Sequence, residues 1–133
     1  MPPLLQGESV LTELDHARLS RLPAAATSEA LQRLLESAEL VPSREVPADV
    51  VTMYSQLWVL DVDSGERRKL TLCYPADAEP QAGFISACSP VGLALLGARA
   101  GATVLGEAPG GRRRPMRIEA LLFQPEASGD YLT

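Results

Sequence analysis

His16 is the only histidine in the sequence, which excludes a zinc site built on two histidines and any HExxH helix. A Ser-His-Asp triad would have to recruit the same His16, whose neighbours read as exposed helix. Two cysteines, Cys73 and Cys88, are too few for a disulfide framework in a chain of 133 residues. Each lies between small or apolar neighbours, the setting of an inert, half-buried thiol. Ten glycines build no phosphate loop: there is no GxxxxGK[ST] element and no GxGxxG after a strand. No cofactor or metal is expected. Phe, Trp and Tyr make up 5% of the chain, too thin for the stacking platforms that single-stranded nucleic acid requires. No run approaches the roughly 18 apolar residues of a membrane helix, and Met1–Glu8 lacks a cationic leader, so a cytoplasmic protein with no membrane contact is expected. Twelve Lys and Arg against seventeen Asp and Glu leave a net charge of −5, which opposes general attachment to phosphate backbones.

What is present is ordinary globular material, 46% hydrophobic and 22% charged, enough for one domain with a small appendage. From Leu11 to Leu40 the apolar spacing is helical. Thr12 caps a first helix bearing Leu11, Leu14, Leu19 and Leu22, which Pro23 ends. Thr27 or Ser28 caps a second helix with Leu31, Leu34, Leu35 and Ala38 on one stripe. Two short helices so closely joined predict an antiparallel hairpin whose apolar seam continues into the rest of the protein.

Beyond Pro42 and Pro47 the period becomes two. Val51, Met53, Leu57 and Val59 predict a long strand, Asp63-Ser64-Gly65 a turn and Leu70–Tyr74 the strand back. A third strand is expected near Phe84–Cys88. Ser89, Pro90 and Gly97 then frame a short helix as cap, first residue and stop. Ala102–Leu105, a Pro109-Gly110-Gly111 turn and Met116–Phe123 complete the sheet. The expected class is α+β: a helical hairpin over residues 1–45, then over 46–133 an antiparallel sheet with one short helix across it. The apolar and aromatic residues of the Gln124–Leu132 tail predict that it is pinned to the body.

Of the candidate sites, Arg112, Arg113 and Arg114, with Arg117, form the densest basic run. They could contact nucleic acid or an acidic protein surface, although a solvated hairpin with arginines alternating outward is the simpler reading. Glu13 with Asp15 and Asp61 with Asp63 are paired carboxylates that could in principle hold a metal or do acid–base work, but catalysis is not expected of them. Alternation puts Asp61 and Asp63 on one face beside a turn, where solvated carboxylates are common.

Four segments resemble one family in order along the whole chain: Asp49–Met53, Leu72–Pro75, Ser89–Gly97 and the Gln124–Leu132 tail. They are similar to Rnk, the regulator of nucleoside diphosphate kinase family, a relative of the transcript-cleavage factors GreA and GreB. The resemblance implies an N-terminal antiparallel helical hairpin, or coiled coil, and an FKBP-like C-terminal domain. It also implies a non-enzymatic transcription regulator that binds bacterial RNA polymerase at the rim of its secondary channel through Cys88, Ser89 and Pro90. The family often carries an acidic residue at the position of Cys88 and Gly-Asp at Gly101-Ala102. Gre factors place carboxylates at the tip of a long coiled coil to help hold magnesium, as such an ion demands. The tip here, Leu22–Ala26, has none, and a helix from Leu11 to Leu22 spans only about 18 Å. The resemblance therefore implies competition with Gre factors without transcript cleavage, a link to nucleoside diphosphate kinase, and nucleic-acid contact only through the polymerase. The FKBP-like fold leaves a prolyl isomerase as the alternative, and the kinase as a direct partner a further one.

Overall fold

The computed structural model describes residues 9–23, 28–107 and 113–130. The first element is β1 (Val10–Thr12), which leads directly into α1 (Glu13–Ser20). Thr12 serves both: it ends the strand, and its hydroxyl accepts from the Asp15 N–H at 3.0 Å as the helix cap. Leu11 therefore lies in a strand, and the first helix is four residues shorter than its leucine spacing predicts. Ser28 caps α2 (Glu29–Ser37) by accepting from Leu31 N–H at 3.1 Å. The chain then forms β2 (Glu39–Val41), which pairs with β1 in parallel. His16 ties α1 to α2 through a 2.9 Å hydrogen bond from its Nε2 to the Leu35 carbonyl. The tip residues Ala24–Ala26 lie outside the described residues.

Five strands make the main sheet: β3 (Gln56–Asp61), β4 (Arg67–Cys73), β5 (Phe84–Ser86), β6 (Thr103–Glu107) and β7 (Arg113–Phe123). Their order is β5-β4-β3-β7-β6. All neighbours are antiparallel except β4 and β5, so the sheet is mixed where period-two reading predicts a purely antiparallel one. Two register shifts between β3 and β7 bend the sheet. The long strand expected from Val51 breaks before Gln56. Tyr54 sits at φ 64, a left-handed conformation rare for a bulky residue, and the Thr52 and Ser55 backbones and hydroxyls close a turn around it. Val51 and Met53 are nonetheless fully buried, so the alternation marks burial rather than strand.

One face of the sheet is the core. Leu57, Val59, Leu70, Leu72, Ile85 and Ile118 point into it and meet Leu95 and Leu96 of α3 (Pro90–Leu95) and its C-cap. Leu11 and Leu19 belong to the same cluster. Leu11, Leu19 and Leu31 are at most 1% exposed, and burying three leucines stabilises the attachment by on the order of 5 kcal/mol. Gly97, at φ +83, seals this junction: its N–H reaches the Val51 carbonyl, and its own carbonyl accepts from Val10. A Cβ there would stand 2.9 Å from Ser9 Cβ. The tail is tied to the body by a polar group, with Gln124 Nε2 donating to the Pro47 and Val50 carbonyls, each at 2.8 Å. Tyr131 and Leu132, the aromatic and apolar residues expected to pin it, lie outside the described residues.

Candidate functional site

The corner between β5 and α3 holds Cys88, Ser89 and Pro90. Its organiser is Ser86, a residue no sequence signal singles out. The Ser86 carbonyl accepts from Ser89 N–H at 3.0 Å and from Ser89 Oγ at 2.7 Å, while Ser86 Oγ accepts from Cys88 N–H at 3.0 Å. Ser89 Oγ in turn accepts from Gly92 N–H at 3.1 Å. The Ser89 hydroxyl thus uses its one proton on Ser86 and a lone pair on the helix, which fixes the corner from both sides. Pro90 takes the first helical position, where its missing N–H costs nothing, and stands exposed. Cys88 is half-buried; burial pushes its thiol up and Ser86 opposes this only in part. Cys73 is buried, and its thiol is likewise pushed up by burial. Neither is poised as a nucleophile.

Beside Pro90 lies an open groove of about 300 Å³, lined by Ala30 and Leu34 of α2, Pro90, Leu93 and Ala94 of α3, Leu105 and Arg113. The structure thus brings Arg113 to the same place as the Ser89–Pro90 corner. Arg114 is occupied elsewhere, 3.0 Å from Asp61 Oδ2. Asp61 also accepts from Asp63 and Ser64 N–H groups, and these bonds, Ser64 foremost, with the Arg114 charge hold its carboxyl below the usual range. Arg112 lies outside the described residues.

Asp15 of the other carboxylate pair is buried. It is 1% exposed, and its Oδ2 accepts the Met53 N–H at 3.2 Å from the turn before β3. Burial, assisted by the Glu126 charge, pushes Asp15 up to about 6, against the Met53 and Thr12 hydrogen bonds and the Arg18 charge. Glu126 is buried as well, accepts from Thr52 Oγ1 at 2.7 Å, and is also raised by burial. Nearby, Tyr54 donates to Asp77 Oδ2 at 2.6 Å, its hydroxyl pushed up to about 12 by burial and by that carboxylate. Asp15 and Glu126 join the N-terminal helix, the Met53 turn and the C-terminal segment; buried as they are, they act as internal ties. Among the described residues, no group of three or more His, Cys, Asp or Glu side chains is placed to hold a metal ion. No helix there is long and apolar enough to cross a membrane.

Comparison with known proteins accords with the fold. Residues 46–122 match the family described as transcription elongation factor, GreA/GreB, C-terminal. The regulator of nucleoside diphosphate kinase of Escherichia coli K12 is 39% identical over 129 residues, covering 92% of this chain and 95% of that protein. A GreA of Solidesulfovibrio magneticus is 43% identical over 70 residues, but these span only 43% of its length. Among solved structures, a prokaryotic transcription elongation factor GreA/GreB from Nitrosomonas europaea superposes with a TM-score of 0.69 at 31% identity, covering 89% of this chain and all of that one. Gfh1 of Thermus thermophilus, at 24% identity and a TM-score of 0.51, shares the fold, with 88% of this chain and all of that one covered. An α+β fold of this kind, matched over nearly the full length of an E. coli regulator, makes the chain a member of the GreA/GreB family of transcription factors, in its regulator of nucleoside diphosphate kinase branch.

Proposed function

We propose that the protein docks on RNA polymerase at the rim of the secondary channel through Cys88, Ser89 and Pro90, and competes there with Gre factors without promoting transcript cleavage. The observation that carries this reading is the corner itself: an exposed proline on a loop that Ser86 and Ser89 lock at both ends. A loop already rigid loses little entropy on binding. The adjacent groove supports the reading, since it offers a partner side chain apolar walls with Arg113 at their edge. The lack of cleavage is supported by the helix lengths. At about 1.5 Å per residue, α1 and α2 extend roughly 12 to 14 Å, and the tip sequence Leu22–Ala26 carries no carboxylate.

On this reading residues 1–45 and 46–133 divide the labour rather than the packing. The hairpin-like N-terminal part sets reach, and the FKBP-like part docks. Among the groove's lining residues there is no aromatic side chain, so the prolyl-isomerase reading gains no support there. A link to nucleoside diphosphate kinase rests on the name of the E. coli relative.

The chain is expected to be retained by immobilised core RNA polymerase, to be displaced by GreA, and to leave cleavage in backtracked complexes at its intrinsic rate. Absence of retention, or retention indifferent to GreA, overturns the proposal. Pro90→Ala should weaken retention while leaving the melting temperature within about 2 °C, because alanine is also accepted at the first helical position. Ser89→Ala separates stability from docking: loss of the cap costs about 1 kcal/mol, read as a melting temperature a few degrees lower.

A further inference from the structure

The second face of the sheet carries a pattern that the docking corner does not use. Strand pairing places Phe84, Thr71, Gln56 and Phe123 in one row across β5, β4, β3 and β7. Lys69, Trp58 and Ala120 form the next row, and Arg67, Leu60, Arg117 and Thr103 the third. Side-chain contacts place Arg67, Trp58 and Glu119 together on this face. The Arg67 guanidinium lies over the Trp58 ring, 4.8 Å from its centroid, and Arg67 Nε reaches Glu119 Oε1 across β3 at 2.6 Å. The core residues Leu57, Val59, Leu70 and Leu72 alternate to the opposite side. Phe84 is 39% and Phe123 45% exposed, and Arg67, Lys69 and Arg117 are exposed as well.

Half of the chain's six aromatic residues, including its only tryptophan, therefore stand on one open face, although their low overall number argues against any stacking platform. With strands about 4.8 Å apart and residues about 3.4 Å apart along them, Trp58 lies about 8 Å from Phe123 and about 12 Å from Phe84. Interleaved with them are the cations Arg67, Lys69 and Arg117; of the carboxylates on this face, Glu119 is held by Arg67, and Glu79 pairs opposite Phe84 at the outer edge of β5. A planar guanidinium on an indole presents a stacking surface to a base, as aromatic rings do. Gln56, Thr71 and Thr103 add hydroxyl and amide groups able to bond a ribose 2′-OH. The net charge of −5 does not cancel this arrangement. At physiological ionic strength, charges beyond about 8 Å are largely screened, while cations on the face touch a phosphate directly.

We propose that this face, formed by Trp58, Phe84, Phe123, Arg67, Lys69 and Arg117, binds single-stranded RNA, its bases stacking on the aromatics and its phosphates meeting the cations. This inference is independent of polymerase docking, because the binding requires the isolated protein alone. The expected dissociation constant is about 1–100 µM near physiological salt, and three phosphate contacts give a log–log salt slope of about −2.

The test titrates the full-length protein with oligouridylate at about 50 mM salt, reading the fluorescence of Trp58 and the anisotropy of the labelled RNA. Saturable quenching is expected. Phe84→Ala and Phe123→Ala, both at exposed positions, should each weaken binding roughly 5- to 100-fold. Lys69→Ala and Arg117→Ala should each flatten the salt slope by about 0.7. Glu119→Gln frees Arg67 and removes the anion nearest Trp58, so it should tighten binding several-fold; a purely structural Arg67–Glu119 pair predicts no gain. Circular dichroism of each variant verifies the fold. Absence of quenching, unchanged affinity in Phe84→Ala and Phe123→Ala, oligodeoxythymidylate bound as tightly as RNA, or tighter binding of an acidic peptide each overturns the proposal.

Discussion

Replacing Gly92 with alanine is expected to unfold a large fraction of the protein or to lower its melting temperature by about 10 °C or more. Inside a free helix this substitution stabilises by about 1 kcal/mol. Here a Cβ would stand 2.0 Å from the Ser86 carbonyl oxygen and 2.8 Å from Ala87 Cα. Both are backbone atoms, so no side chain can swing aside, and α3 has to move away from β5 by roughly 1 Å or more. That movement strains the Ser86–Ser89–Gly92 lock and draws Leu95 and Leu96, both buried, out of the core. Overpacking of this kind costs about 1–3 kcal/mol, and the loss of the cap adds about 1. Gly101→Ala is the internal control. Gly101 has φ +90 with nothing within 4 Å of its added Cβ, so only the conformational cost of about 1–2 kcal/mol applies. Thermal denaturation of the two variants separates the effects: a Gly92→Ala loss no greater than that of Gly101→Ala would show that α3 is not wedged on β5. Polymerase retention by any folded Gly92→Ala fraction should fall as well, since the docking corner rests on the same contact.

The α3 corner was legible because its signals are local. Ser89 caps, Pro90 starts and Gly97 stops the helix within nine residues, and each does so through hydrogen bonds or dihedrals that short sequence spacing encodes. The same holds for Thr12 and Ser28. What was not legible depends on partners distant in sequence. Leu11 fits a helical face as well as a strand, and only pairing with Leu40 decides for β1. Alternation at Val51 and Met53 reads as strand, but Met53 spends its N–H on Asp15, and Tyr54 turns the chain. The parallel pairing of β5 follows from the loop through Pro75–Ala82, which carries the chain back to the edge of β4. The candidate site divides likewise. Ser89 and Pro90 could be named from the sequence, whereas Ser86 emerges only as the acceptor for Cys88 and Ser89. Phe84, Trp58 and Phe123 lie too far apart along the chain for any window to link them, and strand register alone makes them neighbours. Arg113 and Arg114 are adjacent in sequence yet separate in role, one at the groove and the other on Asp61.

Stability is expected to rise as the pH falls from 8 towards 5, opposite to the behaviour of a protein held by surface carboxylates. The group responsible is Asp15, raised from 3.8 to about 6 by its burial. A carboxyl whose pKa is higher in the folded than in the unfolded chain binds its proton more tightly when folded. Its contribution is therefore complete below about 3.8 and is lost as the pH climbs through about 6. A shift of about 2 units bounds the effect at roughly 3 kcal/mol. Glu126, raised in the same direction, adds to it at the acidic end. Arg18 and the Met53 and Thr12 hydrogen bonds favour the charged form but do not outweigh burial. Asp15→Asn keeps an oxygen for the Met53 N–H and removes the charge, so it should stabilise the protein at pH 8 by up to about 3 kcal/mol and leave a nearly flat profile between pH 8 and 5. Asp15→Ala removes the acceptor too and leaves the Met53 N–H buried and unpaired, at a cost of about 1–3 kcal/mol that persists at acidic pH. Urea denaturation of the wild type and both variants at pH 5, 6.5 and 8 measures all three curves. If Asp15→Asn lost stability at pH 8 and retained the wild-type slope, the carboxylate would be a favourable charge in the native state, and the attachment of α1 to the Met53 turn would be electrostatic rather than tolerated for its hydrogen bond.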